Sequence, residues 1–165
     1  MIAHKFLRAG GTSVFTAFSW PLPGGGPGPW VEAPIELCRS GIHACRPADL
    51  PIWAGEVLYE IELDGEIVHE RTKVVASRAR LLRRIDAWEH GLRDGYARMC
   101  AARAHALAVE LPAWDRTIDP LARYGPALLG YMAARIAEER GGPAAYAAER
   151  AHQAAWLAER LAQSA

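Results

Sequence analysis

The sequence predicts an α+β fold: a small, mainly antiparallel sheet from the N-terminal half packed on about three helices from the C-terminal half. Three observations predict it. Residues 1–76 are rich in Gly, Pro, Trp and β-branched side chains, whereas residues 77–165 are rich in Ala, Leu, Arg and Glu. The first half contains a run, Val57 to Leu63 (VLYEIEL), that alternates at the period of a strand. In the second half, apolar residues recur every three or four positions, the period of a helix. The division falls near Ser77, giving a β-rich half (1–76) and a helical half (77–165) that act as one structural unit.

In chain order, Ala3 to Arg8 reads as a short strand, and Val14 to Trp20 (VFTAFSW) as a second, rich in strand formers. Pro21 to Pro29 (PLPGGGPGP) combines freedom at Gly with missing donors at Pro and reads as a loop. Pro47 to Pro51 is a turn or a single helical turn. In the run from Val57, the side chains of Val57, Tyr59, Ile61 and Leu63 share one face, and those of Leu58, Glu60 and Glu62 the other. Asp64-Gly65 is a strong hairpin signal, with Glu66 to Glu70 and Lys73 to Ala76 returning as strands. Ser77 is then an N-cap, followed by a stripe of Leu81, Ile85, Trp88, Leu92, Tyr96, Met99 and Leu107, weakened at Gly91 and Gly95 by roughly 1 kcal/mol each. Pro112 ends that helix. A second helix is expected from Asp119-Pro120 to Arg140, with Gly125-Pro126 able to split off its first turn. Gly141-Gly142 closes it, and Pro143 opens a third helix to about Ala162.

Composition narrows the function classes. With 51% hydrophobic and 23% charged residues the chain is ordinary for a soluble globular protein. Its 19 basic residues balance its 19 acidic ones, which argues against general nucleic-acid binding. No run of about 18 apolar residues is present, so no membrane span is expected. The three cysteines are an odd number and no leader pattern precedes them, so reduced thiols in a bacterial cytoplasm are expected. An oligomer is compatible with this composition, and nothing in it calls for a cofactor.

The chemistry concentrates in LCRSGIHACRP, Leu37 to Pro47. Cys38, His43 and Cys45 combine soft ligands with a base. As a zinc site the set is short of a fourth ligand, which only the fold could add from His4, His69 or Cys100, so no metal is assigned. As a Cys–His pair, His43 is the acid/base, Cys45 or Cys38 the nucleophile, and Glu60 the orienting carboxylate. The alternative is structural: small buried thiols and a His that caps backbone. Arg71, Lys73, Arg78, Arg80, Arg83 and Arg84 form a basic run. If it opens a helix, it opposes the helix dipole, and an anionic ligand would relieve the conflict. The competing reading is a solvated face paired with acids. Trp53, just after the motif, suits a small-molecule cleft between the halves.

The region from Lys5 to Val75 resembles a family of small uncharacterised phage and bacterial domains. The residues that carry the likeness are Lys5-Phe6, the motif Cys38-Arg39-Ser40-Gly41-Ile42-His43-Ala44-Cys45, Glu60-Ile61-Glu62, Gly65-Glu66-Ile67 and Lys73-Val74-Val75. Ile42 stands where an aromatic is commoner, and a Pro/Gly insertion follows Trp20. The resemblance implies a domain and no reaction. A fainter likeness, to ADP-ribosyltransferase-like folds, lacks a clear catalytic Glu. The function expected first is a small-molecule enzyme, with a Cys/His site in the cleft between the β-rich and helical halves and room for an anionic substrate; the alternative is a non-enzymatic binding module of phage or immunity type with structural cysteines.

Overall fold

A computed structural model describes residues 1–36, 40–109 and 111–164. It has the expected α+β architecture, divided into two compact units. One comprises Met1–Leu50 with Gly55–Trp88, and the other Pro51–Ala54 with Glu89–Ala165.

The first unit is a five-stranded antiparallel sheet: β1 (Ile2–Leu7), β2 (Val31–Glu32), β3 (Ile42–Ala44), β4 (Val57–His69) and β5 (Val74–Arg84). β4 pairs with β1 on one side and β5 on the other, and β5 pairs with both β2 and β3. Just past β3, Cys45 bridges back to His4 on β1 through two backbone hydrogen bonds, His4 N to Cys45 O (2.9 Å) and Cys45 N to His4 O (2.7 Å). The pairings β1–β4–β5–β3–β1 therefore close into a ring. A ring this small requires strong curvature, and small interior residues at Ala3, Ala44, Ala76 and Ala79 leave room for it. Leu7, Tyr59, Ile61, Leu63, Val74 and Leu81 fill the interior with Trp20, which comes from the loop after β1.

Three expectations fail in this unit. Val14 to Trp20 forms no strand. It is a compact turn in which Ser13 N donates to Phe18 O and Trp20 Nε1 donates to Ser13 Oγ (2.9 Å). Asp64-Gly65 is no hairpin turn either. β4 runs through it, and the ladder slips there between Asp64–Arg78 and Ile67–Ala76. Gly65 (φ 71°) makes this bulge, with Glu66 N donating to Ser77 Oγ at 2.9 Å. The reversal comes later, at Glu70–Lys73, where Glu70 N donates to Lys73 O and Arg46 donates to the carbonyls of Glu70 and Arg71. Finally, Ser77 caps no helix. Ser77–Arg84 is strand, because Arg78, Arg80 and Arg83 each find an acid across the ladder while Ala79 and Leu81 point inward. Ile85 is still tied to β4 through Leu58 O. Trp88 packs on Phe6 (centroids 5.2 Å apart) and donates to Gly55 O.

The second unit holds a short helix α1 (Leu50–Trp53, apart from Leu50), then α2 (Arg93–Ala108), α3 (Pro112–Ala122) and α4 (Pro126–Gln163). The backbone breaks at His90–Gly91, where Gly91 takes φ 117°. It breaks again inside α4 at Gly142, as the Gly141-Gly142-Pro143 sequence predicts. Pro112 opens a helix as well as following one, so the expected start at Asp119-Pro120 lies inside α3. The buried stripe of α2 is Tyr96, Cys100, Ala104 and Ala108, spaced four apart. Around it, Gln153 (fully buried) donates to Gly130 O and Glu149, Glu149 pairs with Arg103 at 2.6 Å, and Tyr96 Oη donates to Gln153. Such a network is stable only because its members are mutually satisfied. Among the described residues no helix is long and apolar enough to cross a membrane.

Gly65→Ala places a methyl against Ser77 Oγ, well inside van der Waals contact, at a positive φ. It is expected to destabilise the protein by about 1–3 kcal/mol in urea unfolding. Gly24→Ala, with nothing within 4 Å, is expected to change stability by less than about 1 kcal/mol.

Candidate functional site

Each described position of the motif has a local reason. Gly41 (φ 118°) brings the chain against β5 so closely that a Cβ would sit 2.5 Å from Val75 Cγ1. Ile42 and Ala44 then point into the ring interior and His43 points out, the alternation of a strand. Cys45 lies at the seam with β1 and is buried. Cys38 lies outside the described residues, so its part in any site is not described.

On the interior side, Lys5 is the unexpected member. It follows the inward phase of β1, Ala3–Lys5–Leu7, and is buried. Its Nζ donates to His43 O at 2.7 Å and lies 4.9 Å from the centroid of the Trp20 ring. Burial pulls the amine down to about 8, and the neighbouring Cys45 opposes that only in part. Cys45 is driven the other way. Burial pushes its thiol up to about 12, against the pull of Lys5, so at neutral pH it is a thiol and not a thiolate. Cys100, in the helical unit, is likewise pushed up to about 12 by burial.

On the outer side, His43 lines a shallow surface depression with Ile35, Ser40, Val68, Glu70 and Val75. Its pKa is lowered, chiefly by partial desolvation and then by Lys73 and Lys5, against Glu70. The imidazole is therefore neutral at pH 7 and able to accept a proton, but the depression is a shallow surface feature and encloses no space of the kind a ligand pocket provides. The carboxylate acting on it is Glu70. Glu60 lies at the far end of β4, hydrogen-bonded to Arg83 at 2.6 Å, where it influences His4.

Arg78, Arg80, Arg83 and Arg84 lie on β5, with Arg71 and Lys73 in the turn before it, so no helix opens here and the dipole conflict that suggested an anion does not arise. Lys73 pairs with Glu70 (3.3 Å), Arg80 with Glu62 (2.7 Å), Arg83 with Glu60 (2.6 Å) and Arg84 with Asp86 (3.6 Å). Arg78 lies between Glu32 (3.5 Å) and Asp64 (3.1 Å). The exposed side chain of Arg71 is at the hairpin turn, where its carbonyl accepts from Arg46. Trp53 belongs to the second unit and is half-buried. A feature that the sequence did not single out is Trp30. The guanidiniums of Arg78 and Arg80 each lie over its ring, 4.3 and 4.5 Å from the centroid. Residues at i and i+2 of a strand share a face, which is the signal that could have pointed to this clamp.

Among the described residues no group of three or more His, Cys, Asp or Glu side chains is placed to hold a metal ion. No protein family, curated protein or solved structure matches the chain.

The buried amine makes a testable statement about pH. Its folded pKa of about 8 lies below the ordinary value of about 10.4, so between these values the unfolded chain binds more protons and stability rises with pH. The stability difference between the native protein and Lys5→Met, measured by urea unfolding, is expected to grow in favour of the native protein by about 1–3 kcal/mol from pH 8 to 10.5. A pH-independent difference would contradict the buried amine.

Proposed function

We propose that the chain is a non-enzymatic protein-interaction module, acting in a bacterial cytoplasm where free thiols persist, and that its recognition surface is the outward sheet face centred on Trp30. The observation that carries the reading is the Trp30 clamp. Arg78 and Arg80 both place their guanidiniums over one aromatic ring, and they pair in turn with Glu32, Asp64 and Glu62. Trp and Arg are the side chains most enriched at the centres of protein interfaces. The clamp fixes them in place before binding, so less side-chain freedom is lost on contact. The exposed ion pairs contribute little to the fold, roughly 0–1 kcal/mol each, so their arrangement is free to serve selectivity.

The catalytic alternative draws little support from the cysteines. A nucleophilic thiol needs a lowered pKa and access to solvent, and Cys45 has neither.

Two measurements test the proposal. In a Cys38→Ser background, Cys45 and Cys100 are expected to react with a thiol reagent only after unfolding; one fast thiol at pH 8 would favour the enzyme. In affinity capture from source-cell lysate, Trp30→Ala/Arg80→Ala is expected to weaken retention of the bound proteins about tenfold or more, while His43→Ala retains them. Retention that depends on His43 and not on Trp30 would overturn the proposal.

A further inference from the structure

His105 lies on α2 between two carboxylates of α3. Asp115 and Asp119 are four residues apart on one helix and so face the same way. Asp115 Oδ1 is 2.9 Å from His105 Nδ1, and Asp119 Oδ1 is 3.0 Å from Nε2. A neutral imidazole carries a proton on one nitrogen and a lone pair on the other, and that lone pair would face a carboxylate oxygen. Both contacts are hydrogen bonds only when both nitrogens carry protons. The geometry itself thus selects the imidazolium.

We propose that His105, Asp115 and Asp119 form a proton-operated latch that fastens α3 to α2 when His105 is charged and loosens it as the proton leaves. The surrounding charges do not compete for the ring. On α4, Glu138 pairs with Arg135, Glu139 accepts from Trp114 Nε1 and Arg140 donates to the carbonyls of Leu107 and Val109. On α3, Arg116 donates to Pro112 O, and on α2, Arg103 is held by Glu149. Among the described residues the charges acting on the ring are Asp115 and Asp119. Their hydrogen bonds raise the His105 pKa, against a small opposing effect of burial.

The sign follows. A raised folded pKa means that the latch contributes fully below the ordinary histidine value of about 6.5 and is lost as pH rises through the raised value. The three side chains are substantially exposed, so the effect is local and weakened by salt. Beneath the latch, α3 buries Ile118 completely, so loosening it exposes an apolar side chain.

The test uses the full chain. NMR titration of the His105 ring is expected to give a pKa above the ordinary value, lowered by Asp119→Asn and further by Asp115→Asn/Asp119→Asn. Hydrogen exchange of α3 amides, corrected for intrinsic rates, is expected to show protection falling several-fold between pH 5.5 and 8.5. That fall is expected to vanish in His105→Gln, which cannot titrate. Asp119→Asn changes a residue on the surface and keeps the test valid if His105→Gln misfolds. A His105 pKa at or below the ordinary value would overturn the proposal, and so would an equal loss of protection in Asp119→Asn.

Discussion

The two backbone hydrogen bonds between His4 and Cys45 hold the β-rich unit in its form. Without them the sheet is an open ladder, β1–β4–β5–β3, with exposed donors and acceptors along the outer edges of β1 and β3. Open edges are liable to pair with other chains, and the His4–Cys45 bridge ties the edges of β1 and the β3 segment to each other at one point. Closing so small a ring leaves space inside only for small residues and a few large ones. Alanine therefore recurs on the inward faces of β1, β3 and β5, and Trp20 has to come from a loop to complete the interior. The same closure accounts for each described residue from Gly41 to Cys45. Gly41 permits the close approach to β5, Ile42 and Ala44 pack the interior, His43 faces outward, and Cys45 makes the seam.

The seam also sets the chemistry of its neighbours. Lys5 sits on the inward phase of the strand that closes the ring, so its amine is buried and satisfied by the carbonyl of His43 and the face of Trp20. Cys45 is buried by the same contacts that make it a bridge residue. Desolvation opposes charge on both, lowering the amine and raising the thiol, so the pair stays predominantly uncharged over a wider pH range than free side chains would. A nucleophile would need the opposite environment. On the outer surface, His43 and Glu70 share one depression, and the Arg–Glu ladder surrounds Trp30.

Much of the fold was legible from periodicity. The alternation in Val57–Leu63 and the glycine pairs in the helical half correspond to β4 and to the breaks at Gly91 and Gly142. The failures share one cause. In Ser77–Arg84 the apolar residues Ala79 and Leu81 are two apart, but Leu81, Ile85 and Trp88 also fit helical spacing, and local pattern alone cannot choose between them. The deciding partners, Glu60, Glu62 and Asp64, lie on another strand. Asp64-Gly65 carried a real signal for a positive φ, but Ser77 Oγ turned that conformation into a bulge. In the site, Cys45 and His43 stood out by residue type. Lys5 and Trp30 did not, because their roles come from ring closure and from cross-strand stacking.

The most direct measurement of the central claim is native-state hydrogen exchange of the His4 and Cys45 amides. If these two bonds close the ring, both amides exchange only through global unfolding, with the same free energy as the β4–β5 ladder and the same dependence on denaturant. Exchange of both at rates typical of a free sheet edge, while the β4–β5 amides stay protected, would contradict the account.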